Sequence, residues 1–76
     1  MANNEDYLAR PRKDGTWAVK RVGASRAASI HSTQAEAWKE TRRLARGVGS
    51  EAFLQGRDGK IRARNSYGSD PQSTRG

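Results

Sequence analysis

The sequence predicts a two-layer α+β sandwich: an antiparallel sheet of four or five strands with one helix packed on one face, in the order β-β-(β)-α-β-β. Three observations predict it. Two Asp-Gly pairs, Asp14-Gly15 and Asp58-Gly59, each sit between short stretches with apolar residues two apart, the pattern of a hairpin. Thr33-Gln34-Ala35-Glu36 forms a capping box ahead of a segment whose apolar residues recur at helical spacing. The chain has 76 residues, 33% of them apolar, enough for about a dozen core side chains and one small domain.

The first hairpin joins Tyr7 to Arg12 with Thr16 to Val22. Pro11 has no N–H to give to a ladder, so this strand either ends at Arg10 or lies on an edge. Arg26 to His31 reads as a third strand, with Ala28 and Ile30 pointing inward. The helix is expected from about Gln34 to Arg46, with Ala37, Thr41, Leu44, Ala45 and Val48 in one stripe, Trp38 at its border and Gly47 as the left-handed stop. Its other face carries Glu36, Lys39, Glu40, Arg42, Arg43 and Arg46, acids early and bases mostly late, which suits the helix dipole. The second hairpin joins Glu51 to Gln55 with Lys60 to Arg64. The two hairpins use the same turn chemistry, a basic residue and then Asp-Gly.

Residues 1–6 form an acidic N-terminus expected to be disordered, residues 7–65 the domain, and residues 66–76 a Gly-, Ser- and Pro-containing tail expected to be flexible. Tyr67, the one large apolar side chain in that tail, is placed to fold back onto the domain. The acidic start does not resemble a signal peptide and no apolar run approaches the roughly 18 residues of a membrane span, so a soluble, cytoplasmic protein is expected. The absence of cysteine removes disulfides and thiolate chemistry and fits a reducing compartment.

Charge is the strongest functional signal. The whole chain carries +7, and residues 7–65 carry fourteen basic against five acidic groups. Strand alternation puts Trp17 and Val19 on one face of the second strand, and Ile61 and Ala63 on one face of the last, where they meet the helix stripe. The opposite face of the last strand then presents Lys60, Arg62 and Arg64 in a row about 7 Å apart, and the second strand adds Lys20. One helix covers only one face of a sheet, so a basic face is left for water or a partner. Phosphate neutralisation with counterion release supplies most sequence-independent affinity for nucleic acid. The first choice of contacts is therefore Lys60, Arg62 and Arg64. Arg10, Arg12, Lys13 and Lys20 on the first hairpin come next, and Arg42, Arg43 and Arg46 on the helix are a competing surface. A charged surface that serves only solubility is the plain alternative.

Other chemistry finds little support in the residues. Trp17 and Trp38 could stack on bases, but with so few large apolar residues they are assigned to the core, and Tyr7 and Phe53 to core or edge packing. His31 is the only histidine and has no second imidazole or thiol with which to build a transition-metal site. Ser29, Ser32 and Thr33 beside it suit turns and caps better than catalysis. Gly47-Val48-Gly49-Ser50 follows a helix where a phosphate loop would precede one, and Gln55 to Lys60 lacks the phosphate-loop spacing. No enzyme activity, cofactor, metal or small-molecule substrate is expected.

Four blocks, Gly15-x-Trp17-Ala18-Val19-Lys20, Thr33-Gln34-Ala35-Glu36-Ala37, Gly56-Arg57-Asp58-Gly59-Lys60-Ile61 and Asn65-Ser66-Tyr67-Gly68-Ser69-Asp70-Pro71, resemble in order and spacing a family of short bacterial proteins, domain of unknown function 2188. The resemblance spans about residues 7–71 and implies a small bacterial α+β domain without an assigned activity. The Arg-rich helix end Arg42 to Arg46 is no part of it. A weaker similarity, through the strand from Trp17 and the helix start Thr33 to Ala37, is to the sheet DNA-binding domains of phage-type integrases and AP2-like plant factors. That similarity implies an uncovered sheet face entering the major groove. The second hairpin here departs from it. The leading expectation is thus a small nonenzymatic nucleic-acid-binding module, with DNA the favoured partner, that grips phosphates through Lys60, Arg62, Arg64, Lys20, Arg12 and Arg10. The alternative is a protein-interaction or homodimerisation module that pairs through open sheet faces or edges.

Overall fold

The computed structural model describes residues 6–67, and both Asp-Gly turns close hairpins by the same bonds. In the first, the Gly15 N–H donates to the Arg12 carbonyl (3.2 Å) and the Arg12 N–H to the Thr16 carbonyl (2.8 Å). In the second, the Gly59 N–H donates to the Gly56 carbonyl (2.9 Å) and the Gly56 N–H to the Lys60 carbonyl (2.8 Å). Each is a four-residue turn whose last residue is a glycine at positive φ, 92° at Gly15 and 85° at Gly59, a backbone that side chains resist. The aspartates brace the turns: Asp14 accepts from the Thr16 N–H (3.0 Å) and Asp58 from the Lys60 N–H (3.1 Å).

Five strands, β1 (Tyr7–Pro11), β2 (Trp17–Arg21), β3 (Ser29–His31), β4 (Glu51–Gln55) and β5 (Ile61–Ser66), and one helix, α1 (Gln34–Val48), make an α+β fold with the expected element order. The sheet runs β3-β2-β1-β4-β5 and α1 lies across β1 to β4. The neighbouring pairs are antiparallel except β1 with β4, which is parallel, so the sheet is mixed where an antiparallel one was expected. The helix is the reason. It carries the chain from one end of the sheet back to the other, so β4 starts at the same end as β1. Pro11 stands at the last position of β1, beyond the three residues that pair with β4, where its missing N–H leaves no gap in that ladder.

Thr33 caps α1: its hydroxyl accepts from the Glu36 N–H at 3.1 Å. The helix ends two residues later than the sequence reading put it. Gly47 is helical, and Gly49, at φ 72°, is the left-handed cap, with its N–H directed at the Ala45 and Arg46 carbonyls. Ala37, Thr41 and Ala45 are buried against the sheet, whereas Val48, expected in the stripe, is 48% exposed. The sheet answers with Ala9, Trp17, Val19, Ala52 and Leu54, so the layers meet largely through small residues and approach closely. Thr41 is buried without an open polar group because its hydroxyl donates to the Ala37 carbonyl (2.7 Å).

The two ends of the domain are stitched by backbone. The Asp6 carbonyl accepts from the Val22 N–H (2.8 Å) and its carboxylate from the Glu51 N–H (3.0 Å), so Asp6, assigned by the sequence reading to a disordered terminus, bridges β2 and β4. Ser66 belongs to β5, opposite Glu51, and the Tyr67 N–H donates to the Ser50 carbonyl (2.9 Å), the return that Tyr67 was placed to make. The expectations for residues 1–5 and 68–76 lie outside the described residues.

Candidate nucleic-acid interface

The strand registers determine which side chains share the face that α1 leaves uncovered. Val19 stands opposite Ala9 and Ala9 beside Leu54, all buried toward the helix. Their neighbours along each strand therefore point the other way. One cross-strand row on the open face reads Lys20, Leu8, Phe53, Arg64 and a second reads Ile30, Ala18, Arg10. Ile30 is 45% exposed on this face, opposite to the inward direction expected of it; Ser29 and His31 take the helix side of β3.

Beside these rows the first hairpin builds a hollow. Arg10, Arg12, Lys13 and Lys20 line it, Ala18 and Ile30 lie beneath, and Ser25 and Ala27 of the loop after β2 complete its wall. Four cations converge there because Arg10 and Lys20 share a strand face, while Arg12 and Lys13 enter the turn directly beyond it. Among the described residues, none of the four forms an ion pair. The acid next to them in the chain is Asp14. The Thr16 hydroxyl (2.6 Å) and Thr16 N–H (3.0 Å), with the Arg12 charge a smaller contribution, hold its carboxyl below the ordinary range.

A carboxyl whose pKa is depressed in the folded state adds stability above its unfolded pKa, and that stability is lost as pH falls through the lower, folded value. In Asp14→Asn, the drop in urea midpoint between pH 7 and pH 3 should therefore be smaller than in the unsubstituted protein. An unchanged drop would mean that the Thr16 bonds do not form in solution.

The row expected from Lys60, Arg62 and Arg64 does not form. A bulge opposite Gln55 sets Ile61 and Arg62 against one partner residue, which breaks the alternation along β5. Arg62 folds over Gly56, where a Cβ would come within 2.6 Å of its Nε, and pairs with Asp58 at 3.1 Å. It lines a separate hollow with Trp17, Thr33 and Arg57 at the helix start. Ile61, expected in the core, is instead 55% exposed, while Ala63 packs against the core. Lys60 precedes β5, exposed at the turn, and Arg64 alone of the three stands on the open face, opposite Phe53. Local pattern gave no sign of the bulge.

Two cations of the helix surface, Arg42 and Arg43, are engaged, whereas Lys39 and Arg46 are exposed there without an ion-pair partner among the described residues. Glu40 holds Arg43 through two bonds, 2.9 and 2.6 Å, and its carboxyl is pulled below the ordinary range by that partner. The Arg42 guanidinium lies 5.3 Å from the Trp38 ring centre, and its Nε points at the Trp38 carbonyl (3.4 Å). Trp17 is buried, as expected, and carries Arg57 over its ring at 5.3 Å. His31 Nε2 lies 2.8 Å from the Ser29 Oγ. Among the described residues no three His, Asp or Glu side chains are grouped to hold a metal, and no helix is long and apolar enough to cross a membrane.

Residues 7–67 match the family described as uncharacterised protein conserved in bacteria, domain of unknown function 2188. The chain belongs to this family. The DUF2188 match begins at the first residue of β1 and ends at Tyr67, whose N–H closes the β4–β5 pair, so it covers every residue of the basic hollow. No curated protein and no solved structure matches the chain. No match supports the expected similarity to integrase and AP2-like sheet domains, and here the second hairpin extends the sheet by β4 and β5 without covering the open face.

Proposed function

We propose that this DUF2188 protein is a nonenzymatic, cytoplasmic nucleic-acid-binding module that holds phosphates on its uncovered sheet face. The observation that carries this reading is the convergence of Arg10, Arg12, Lys13 and Lys20 on one hollow without an ion-pair partner among the described residues. Four unpaired cations around a shallow depression suit a polyanion, because each phosphate neutralised releases condensed counterions. Arg64 on the same face extends the positive surface across the sheet, whereas Arg62 and Lys60 belong to the second hairpin and are secondary in this reading.

Titration of a labelled duplex at rising salt tests it. Four contacts should give a log–log slope of about −3.6. Absence of binding at low salt by the duplex and by single strands alike would overturn the assignment. A second reading, self-association, is favoured by Ile30 and Ile61, both roughly half exposed on strands at opposite edges of the sheet. Sedimentation over a range of concentrations distinguishes the two, since a dimer that buries Arg10 and Lys20 would withdraw the hollow from nucleic acid.

A further inference from the structure

The open face carries more than charge, and what it carries bears on the form of the nucleic acid. Lys20, Leu8, Phe53 and Arg64 form one row across β2, β1, β4 and β5, with a cation at each end and two apolar side chains between. Phe53 is the chain's only phenylalanine. The sequence reading gave it to core or edge packing, yet its register turns it away from α1, half-buried on the uncovered side. Leu8 beside it is also half-buried there. Phosphates gain nothing from such a centre, whereas the faces of unpaired bases do.

Size argues against a duplex. Five strands at about 4.8 Å spacing span about 19 Å between outer strand axes, wider than the roughly 12 Å major groove, which admits a helix or a two-stranded ribbon. Phe53 lies on β4, with β1 and β5 on its two sides, so the sheet cannot bring it to the base edges of a duplex. A single strand laid across the row meets no such barrier. Its phosphates reach Lys20, with the hollow beside it, and Arg64, about 14 Å away across three strand spacings, while a base lies on the Phe53 ring between them. Along β4 the neighbours of Phe53 on this face are Glu51, which repels phosphate, and Gln55, whose Nε2 is committed to the Gly59 carbonyl at 3.2 Å. The donor opposite the ring, Arg64, is the one assigned to phosphate, and among the described residues β4 itself adds only an acid and an amide already engaged beside the ring, which gives a ribose 2′-hydroxyl no dedicated reader.

We infer that the sheet face takes single-stranded DNA, with a base stacked on Phe53 and the flanking phosphates held by the Lys20 hollow and Arg64. This rests on the phosphate-binding reading above and narrows it. Fluorescence anisotropy with a DNA single strand of about 12 nucleotides, the duplex of the same sequence, and the matching RNA single strand tests it, a length within the range of small single-strand-binding domains. The DNA single strand should bind more tightly than the duplex. Phe53→Leu, which keeps an apolar side chain of similar bulk, should weaken single-strand binding by about fivefold or more and leave duplex binding unchanged, and Phe53→Trp should restore it. In the unsubstituted protein, the Phe53 ring protons should shift upfield on adding the single strand and not the duplex, a readout independent of any variant's folding.

Equal or tighter duplex binding, or an unshifted Phe53 ring, overturns the single-strand inference and leaves the phosphate reading in place. Tighter binding of the RNA strand overturns the assignment to DNA. Failure of all three ligands at low salt overturns the phosphate reading itself.

Discussion

Neutralising two cations of the hollow, Arg10→Gln together with Lys20→Gln, should weaken binding to a DNA duplex by about 60-fold at 0.1 M salt and flatten the salt slope by about 1.8. The magnitude comes from counterion release: each phosphate contact contributes about 0.9 to the log–log slope, so at 0.1 M each is worth nearly tenfold relative to 1 M salt. Arg10 and Lys20 are the pair to choose because they stand on adjacent strands on the uncovered face, with neighbouring Arg12 and Lys13 left intact. Arg10 is exposed and Lys20 half-buried, and among the described residues neither has an ion-pair partner, so unfolding stability should move by no more than about 0.5 kcal/mol. The control is Lys39→Gln with Arg46→Gln, two exposed helix cations on the other side of the molecule. That pair should change affinity little. Loss of binding in the helix pair but not in the hollow pair would move the site to α1.

Trp17→Ala should remove much of the domain's stability. Trp17 is 3% exposed and belongs to the core cluster with Ala9, Val19, Ala37 and Leu54. Two of those four partners are alanines, too short to collapse into the space a lost indole leaves. Truncating a buried Trp costs about 3–5 kcal/mol, and a chain of this length has about 4–11 kcal/mol in total. Urea unfolding followed by far-UV circular dichroism should show the midpoint falling to low denaturant or the transition vanishing. Trp38→Ala should cost less, because Trp38 is only partly buried at the border of the helix stripe. If the two substitutions cost the same, the helix does not seat on Trp17 as described.

The two aromatic positions show how far local pattern reaches. Trp17 was legible because a strand after an Asp-Gly turn has a known phase, and its alternate residue Val19 is apolar as well. Phe53 was not legible. In Glu51-Ala52-Phe53-Leu54-Gln55 three apolar residues in succession leave the phase open, and the parallel pairing with β1, a contact more than forty residues away in sequence, sets Ala52 and Leu54 inward and Phe53 outward. Ile30 failed in the same way, since a three-residue strand is too short to declare its own phase. The candidate site followed suit. The hollow drew on residues of the second-choice group, and the first-choice row was lost to a bulge and to the Arg62–Asp58 pair.

The features readable from the residues alone were local: two braced turns, a capped helix with a small-residue stripe, the family blocks, and the excess of positive charge. Each depends on bonds or periodicities that span a few residues, so the information sits where it acts. Long-range packing set how β4 enters the sheet, which side each apolar strand residue takes, and which cations stand together without acids. Those depend on strand registers between distant segments, and shifting one register by a single residue exchanges the two faces of the strand.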